Sequence, residues 1–230
     1  MQNGTSTGTE TTSLTNQTYQ RIYDMIIQGD LEPGNKLKIE ELRRVLGTGA
    51  SPVREALSLL TSDHLVERID QRGFRVSHIS VDGFTELLKT RCWLEERALR
   101  ESMAAQDMEW EERLVLVHHR LKREPRVLPD SDKPNPAWES RHKEFHMTLL
   151  SACGSSILMK ICDRLYDQNI RYRNAAKTMA YPTRDVTSEH DAILQHVMDH
   201  EPDLAVKELI SHYTTTGEFL SMKLRQTMSP

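Results

Sequence analysis

Apolar residues along this chain keep two different periods. From Thr15 to Gln28, Tyr19, Ile22, Tyr23, Ile26 and Ile27 recur at helical spacing, with Thr15 as the expected N-cap. The stretch GDLEPGNKL then breaks the helix with Gly29, Pro33 and Gly34. A short helix is expected around Ile39 to Leu46, ended by Gly47. Another begins near Ser51-Pro52, with Ser as cap and Pro at the first helical position, and runs through VREALSLLTSDH. After it the period drops to two. LVERID and FRVSHI alternate apolar and polar residues across QRG, a hairpin with Gly73 near its turn.

From Ser80 onward the period is helical throughout. The expected segments are 81–105, 107–122, 136–152, 155–178, 184–200 and 203–224, with loops at Pro129, Pro134 and Pro136, at Gly154, at Pro182 and at Pro202. Helix, helix, tight turn, helix and hairpin in about 65 residues is the layout of a winged helix-turn-helix. Six helices on short loops predict an antiparallel bundle. The fold class is therefore mainly α: a winged helix-turn-helix of three helices plus a β-hairpin wing over residues 15–78, and an all-helical bundle over 79–230. Residues 1–14, rich in Thr, Ser and Gly, are expected to be a disordered tail.

Composition narrows the function. With 37% hydrophobic and 28% charged residues the chain has the make-up of a soluble globular protein. It has no apolar run of about 18 residues to span a membrane, and MQNGTSTGTETTSLT is not a secretory signal. Three cysteines without CxxC spacing suit a reducing cytoplasm. The formal net charge of −4 gives no whole-chain basic surplus, so a DNA-binding unit has to be sought locally.

Such a unit lies in residues 46–76. A helix entering the major groove needs small or hydrogen-bonding residues in its first turn, and Ser51, Pro52 and Arg54 stand there. The exposed N–H groups of that helix start also suit a phosphate. Arg72 and Arg75 flank the wing glycine Gly73, and Arg43 and Arg44 lie on the preceding helix, all cations for phosphate contact. The competing reading of these arginines is a solvated surface, or Arg54 paired with a nearby acid. The stretch LGTGASPVREALSLLTSDHLVERIDQRGFRV, with IIQGDLEPGNKL upstream, resembles the GntR family of bacterial transcription regulators. Most of that family carry Ser-Arg-Thr where this chain has Gly49-Ala50-Ser51. The resemblance therefore implies an operator other than the common one.

The histidines carry the second candidate site. At about 100° per residue, His142 and His146 fall in the stripe of Trp138, Phe145 and Leu149. His190 falls at the centre of Val186, Ile193, Leu194 and Val197. His212 borders the stripe of Ala205, Leu209 and Thr216. A lone inward histidine is more often a hydrogen-bonded core residue, but four need partners, and one divalent ion, Zn²⁺ first and Ni²⁺ next, would satisfy all. His118 and His119 are adjacent and cannot share a face, and His196 and His200 lie off the apolar centre of their helix.

TRCWLEERAL, FHMTLLSACGSSIL, EHDAIL and His212 resemble the FCD class, the effector domain of the FadR group within GntR. That class binds a metal through an Asp and three His. The resemblance implies His146, His190 and His212 as ligands, with His142 where the class has Asp. Arg91 shares an inward stripe with Phe84, Leu88, Glu95 and Ala98. It either pairs with Glu95 or faces a carboxylate ligand, and the resemblance favours the ligand. Asn169, Tyr172 and Arg173 complete the expected effector set for a small organic acid.

The expected function is a ligand-responsive regulator, not an enzyme. It would bind double-stranded operator DNA as a homodimer, with a metal ion and an organic acid in the helical part. The alternatives are a metal-dependent hydrolase, disfavoured because Lys143, Glu144 and Phe145 separate the two histidines rather than an HExxH pattern, and a pure metal sensor.

Overall fold

Helix α1, Leu14–Gln28, begins at Ser13, whose hydroxyl accepts the Asn16 N–H at 3.2 Å. Thr15, expected to be the cap, is already inside the helix and donates its hydroxyl to Glu55 at 2.8 Å. Ile22 and Ile26 face inward and pack on α3, Ala50–Ser62, whose Val53, Ala56, Leu57 and Leu60 close the same core. Between them α2, Ile39–Leu46, buries Leu42 and Leu46. Gly47 ends it in the left-handed region at φ 65°, which a side chain would resist. Helix α3 starts one residue before Ser51. Its N-cap is Gly49, with no side-chain cap bond, so Ser51 and Pro52 lie inside the first turn rather than at its edge.

The wing has one strand more than the alternation predicts. β2, Val66–Ile69, and β3, Gly73–Val76, pair antiparallel with Val66 opposite Val76 and Ile69 opposite Gly73. β1, Lys36–Leu37, adds to the free edge of β3, giving the order β1-β3-β2. Two residues are too short to show an alternation, which is why the pattern missed β1. β3 stops at Val76, short of the expected Ile79; the Ser77 N–H goes to the Leu65 carbonyl instead.

The computed structural model describes residues 13–70, 72–129, 134–176 and 184–228. Of the expected tail over residues 1–14, residues 1–12 lie outside them, as do Gln71 and the loop expected at Pro182, while Ser13 and Leu14 instead cap and open α1. Contacts divide the chain into two units, Met1–His78 and Ile79–Pro230.

The second unit holds six helices among the described residues: α4 Val81–Ala104, α5 Met108–Arg123, α6 Pro136–Leu150, α7 Ser156–Ala175, α8 Val186–Met198 and α9 Pro202–Met228. Five start at a side chain that accepts a first-turn N–H: Ser80, Asp107, Asn135, Ser155 and Asp185. α4 packs on α6, α7 and α9, while α5 lies on α6 and α8. The core comprises Leu99, Leu114, Phe145, Leu149, Cys162, Ile193 and Leu209. The Trp110 indole N–H donates to the Thr148 carbonyl at 2.6 Å, which fixes α5 on α6 and satisfies a buried donor.

Candidate functional site

The two units each carry one candidate site. In the first, Ser51 and Arg54 are exposed on α3, Arg43 and Arg44 on α2, and Arg72 and Gly73 on the wing. Pro52 is half-buried beside them. Among the described residues Arg54 has no acidic partner, so its competing reading as half of an ion pair loses its support. Arg43 meets Glu40 at 2.6 Å on the surface, a pair that costs little to exchange for a phosphate. Arg75 is different. It sits cross-strand from Glu67, with Nη2 and Nε at 2.6 and 3.2 Å from one carboxylate oxygen. That hydrogen bond, against the opposing effect of burial, lowers the Glu67 carboxyl below its usual range. Arg75 thus joins β2 to β3 through an ion pair at the surface.

In the second unit four histidines meet. His142 and His146 come from α6, His190 from α8 and His212 from α9. All four are buried, and one nitrogen from each lies within 4.8 Å of the others. Nε2 of His142 and Nε2 of His146 are 3.1 Å apart. A tetrahedral ion held at about 2.1 Å by imidazoles would space its ligands about 3.4 Å apart, so small ring rotations suffice. The outer nitrogens of three rings are held. His142 Nδ1 is 2.6 Å from the Tyr166 hydroxyl, His146 Nδ1 is 3.0 Å from the Tyr213 hydroxyl, and His212 Nδ1 is 2.7 Å from Glu189. Tyr213 gives its own proton to Glu95, so it accepts from His146, which leaves Nε2 of that ring as a lone-pair donor.

Burial drives His142, His146 and His190 well below the usual imidazole range, and the neighbouring rings push the same way. Burial lowers His212 as well, against the raising effect of Glu189. The cluster is therefore neutral at pH 7, the state a metal requires. Nε2 of His190 is buried without a hydrogen-bond partner among the described residues, a loss a coordinated ion would repair. The donor set fits a divalent ion of the zinc type.

A cavity of about 40 Å³ opens beside the cluster, lined by Arg91, Asn169, Arg173 and Arg184 together with His142, His146 and His212. A second, of about 150 Å³, lies past His190 and Trp138, bordered by Lys122, Arg126 and Arg184. Of the expected effector residues, Asn169 and Arg173 line the first cavity. Arg91 lines it too, but its guanidinium is committed to Glu95 at 2.7 and 3.3 Å, with both side chains buried. Arg173 and Arg184 are paired in the same way, with Glu139 and Glu189. Tyr172 is not at the site. It packs on Phe84, with ring centroids 5.2 Å apart, among Leu87, Leu220 and Leu224, because position 172 lies about 100° round α7 from Arg173.

Tyr166, Tyr213, Glu139, Glu189 and Arg184 were invisible as site residues in the sequence. Glu189 and Tyr213 adjoin His190 and His212 in the chain, the single clue available. Of the other histidines, His118 is buried and pairs with Asp191 at 3.0 Å. His196 faces Glu201, and His200 sits at φ 56° in a turn. Glu144 pairs with Arg141 at 2.8 Å, with both side chains well exposed, and contributes no general base to the histidines.

Comparison with known proteins gives two family matches: bacterial regulatory proteins, gntR family, over residues 14–76, and the FCD domain over 86–215. The HTH-type transcriptional regulator BphR of Paraburkholderia xenovorans (strain LB400) is 36% identical over 201 residues, spanning 87% of this chain and 82% of that protein. The HTH-type transcriptional repressor GlaR of Escherichia coli (strain K12) is 31% identical, spanning 67% and 70%. Among solved structures, E. coli McbR/YncC matches with a TM-score of 0.75 at 18% identity, over 92% of this chain and 98% of that one. A GntR regulator from Rhodococcus sp. RHA1 matches with a TM-score of 0.70 at 19% identity, over 91% and 98%. At those identities the structures speak for the fold.

Proposed function

This chain belongs to the GntR family of bacterial regulatory proteins and carries an FCD domain, and on that premise we propose that it is a ligand-responsive transcription regulator whose helical domain, residues 79–230, holds a divalent ion, zinc first, in its four-histidine cluster. The observation that carries the ion is the convergence of four buried, neutral imidazoles within 4.8 Å. His142 then acts as a ligand in its own right.

On the DNA side, residues 15–78 present Ser51, Pro52 and Arg54 to the major groove. Arg43, Arg44 and Arg72, with Gly73 at the wing, meet the phosphates. Two copies would seat two winged helices on the half-sites of a near-palindrome in the cytoplasm. The effector is a small organic acid. Arg173, Arg184 and Asn169 supply cationic and amide donors beside the ion, and a carboxylate could complete the ion's shell. Its binding would favour one spacing of the two winged helices over another, as differential affinity requires.

A second reading is that the ion itself is the effector. The four converging rings support it, since they could hold an ion without any organic partner. One experiment tests both. Metal content is measured on purified protein, and operator binding is followed by mobility shift in ion-free protein, then with zinc, then with zinc and candidate acids. Protein that takes up no divalent ion at its four histidines would remove the ion. A shift that responds to zinc and to no acid would select the sensor.

A further inference from the structure

Three of the four imidazoles are backed in the same way. Behind each ring stands a carboxylate, and on each carboxylate an arginine. His212 meets Glu189 directly at 2.7 Å, and Glu189 binds Arg184. His146 meets Glu95 through the Tyr213 hydroxyl, and Glu95 binds Arg91. His142 meets the Tyr166 hydroxyl at 2.6 Å, which lies 3.5 Å from Glu139, and Glu139 binds Arg173. The members come from α4, α6, α7, α8, α9 and the residues just before α8, so packing brings the three sets together. Arg184 also comes within 3.5 Å of His212 Nδ1, farther than the carboxylate.

Four neutral imidazoles bring no negative charge to a divalent ion, and a buried charge without compensation is costly. A carboxylate that accepts the outer N–H of a ligating imidazole, directly or through a hydroxyl, fixes the tautomer and strengthens the inner nitrogen as a donor. We propose that Glu95, Glu139 and Glu189 are the anionic outer sphere of the ion, supplying from behind the rings the charge that the inner ligands lack. Tyr213 and Tyr166 are positioning residues that extend two of them. Each arginine pairs with its carboxylate and so competes with the ring for it. This rests on the reading of the cluster as an ion site, and it assigns Arg91 to that outer sphere.

The arrangement predicts effects of opposite sign, which a merely structural set of ion pairs would not give. Zinc affinity is measured on the full chain by competition with a chromophoric chelator, and cobalt absorption reports the ligand geometry. Glu189→Gln and Tyr213→Phe are expected to weaken zinc by about 10- to 100-fold. Arg184→Gln is expected to strengthen it, because Glu189 is then left with His212 alone. Melting of each ion-free variant separates loss of the ion from loss of the fold. The proposal is overturned if Glu189→Gln or Tyr213→Phe binds zinc as the wild type does, or if Arg184→Gln weakens zinc as Glu189→Gln does. A wild-type chain that binds no zinc overturns this proposal and the ion reading together, whereas unaffected variants of a zinc-binding chain overturn this proposal alone.

Discussion

Gly217 on α9 lies so close to Leu88 on α4 that a Cβ added to it would stand 2.1 Å from Leu88 Cδ2. Leu88 lines the cavity beside the histidines, so this close approach sets how near α9, which carries His212, can come to α4. Gly217→Ala should cost about 1 kcal/mol net, because Leu88 must leave its rotamer while α9 gains about 1 kcal/mol from losing a glycine. Urea denaturation checks it. A variant as stable as the wild type would mean that the two helices can part without cost.

Arg91 and Glu95 form a buried pair that depends on both members. Burial works against the Arg91 cation, and Glu95 more than offsets it, so Arg91 remains charged. Arg91→Met alone should cost about 3–5 kcal/mol by leaving a buried carboxylate without its cation. Arg91→Met with Glu95→Met should cost less than Arg91→Met alone. Equal losses in the single and double variants would show that the charge pairing is not what stabilises this point.

The four histidines make the ion-free bundle sensitive to acid. Their folded values lie below 6.5, so as the pH falls through 6.5 the unfolded chain takes up protons that the folded chain refuses. Stability must then fall with pH, by up to about 1.4 kcal/mol per pH unit for each imidazole. Ion-free protein should melt lower at pH 5.5 than at pH 7, and zinc should raise the melting temperature most at pH 7. A melting temperature that is flat between these values would contradict the burial of the cluster.

On DNA, the arginines should separate into two groups. Arg54→Ala and Arg72→Ala should weaken operator binding and reduce the slope of log affinity against log salt by about 1 for each phosphate left without its cation. Arg75→Ala should leave the salt slope nearly unchanged while loosening the wing, since its partner is Glu67. Fluorescence anisotropy on an operator selected from random DNA reads both. A large slope change with Arg75→Ala would place that residue on the DNA backbone after all.

What the amino-acid order determined alone is what depends on near neighbours. Ile22 and Ile26 repeat at helical spacing, and Gly47 and Gly73, read as a helix end and a turn, occupy positions of positive φ. The inward direction of His142, His146, His190 and His212 was legible for the same reason, because a stripe is a local property. Tertiary structure decided the rest. Whether Arg91 would meet Glu95 or a ligand depended on competing partners within reach. That Tyr172 turns to Phe84, and that Tyr213 bridges Glu95 to His146 across 118 and 67 positions of chain, follows from which helix faces pack together. Periodicity says which side of a helix points inward, but only packing says what it finds there.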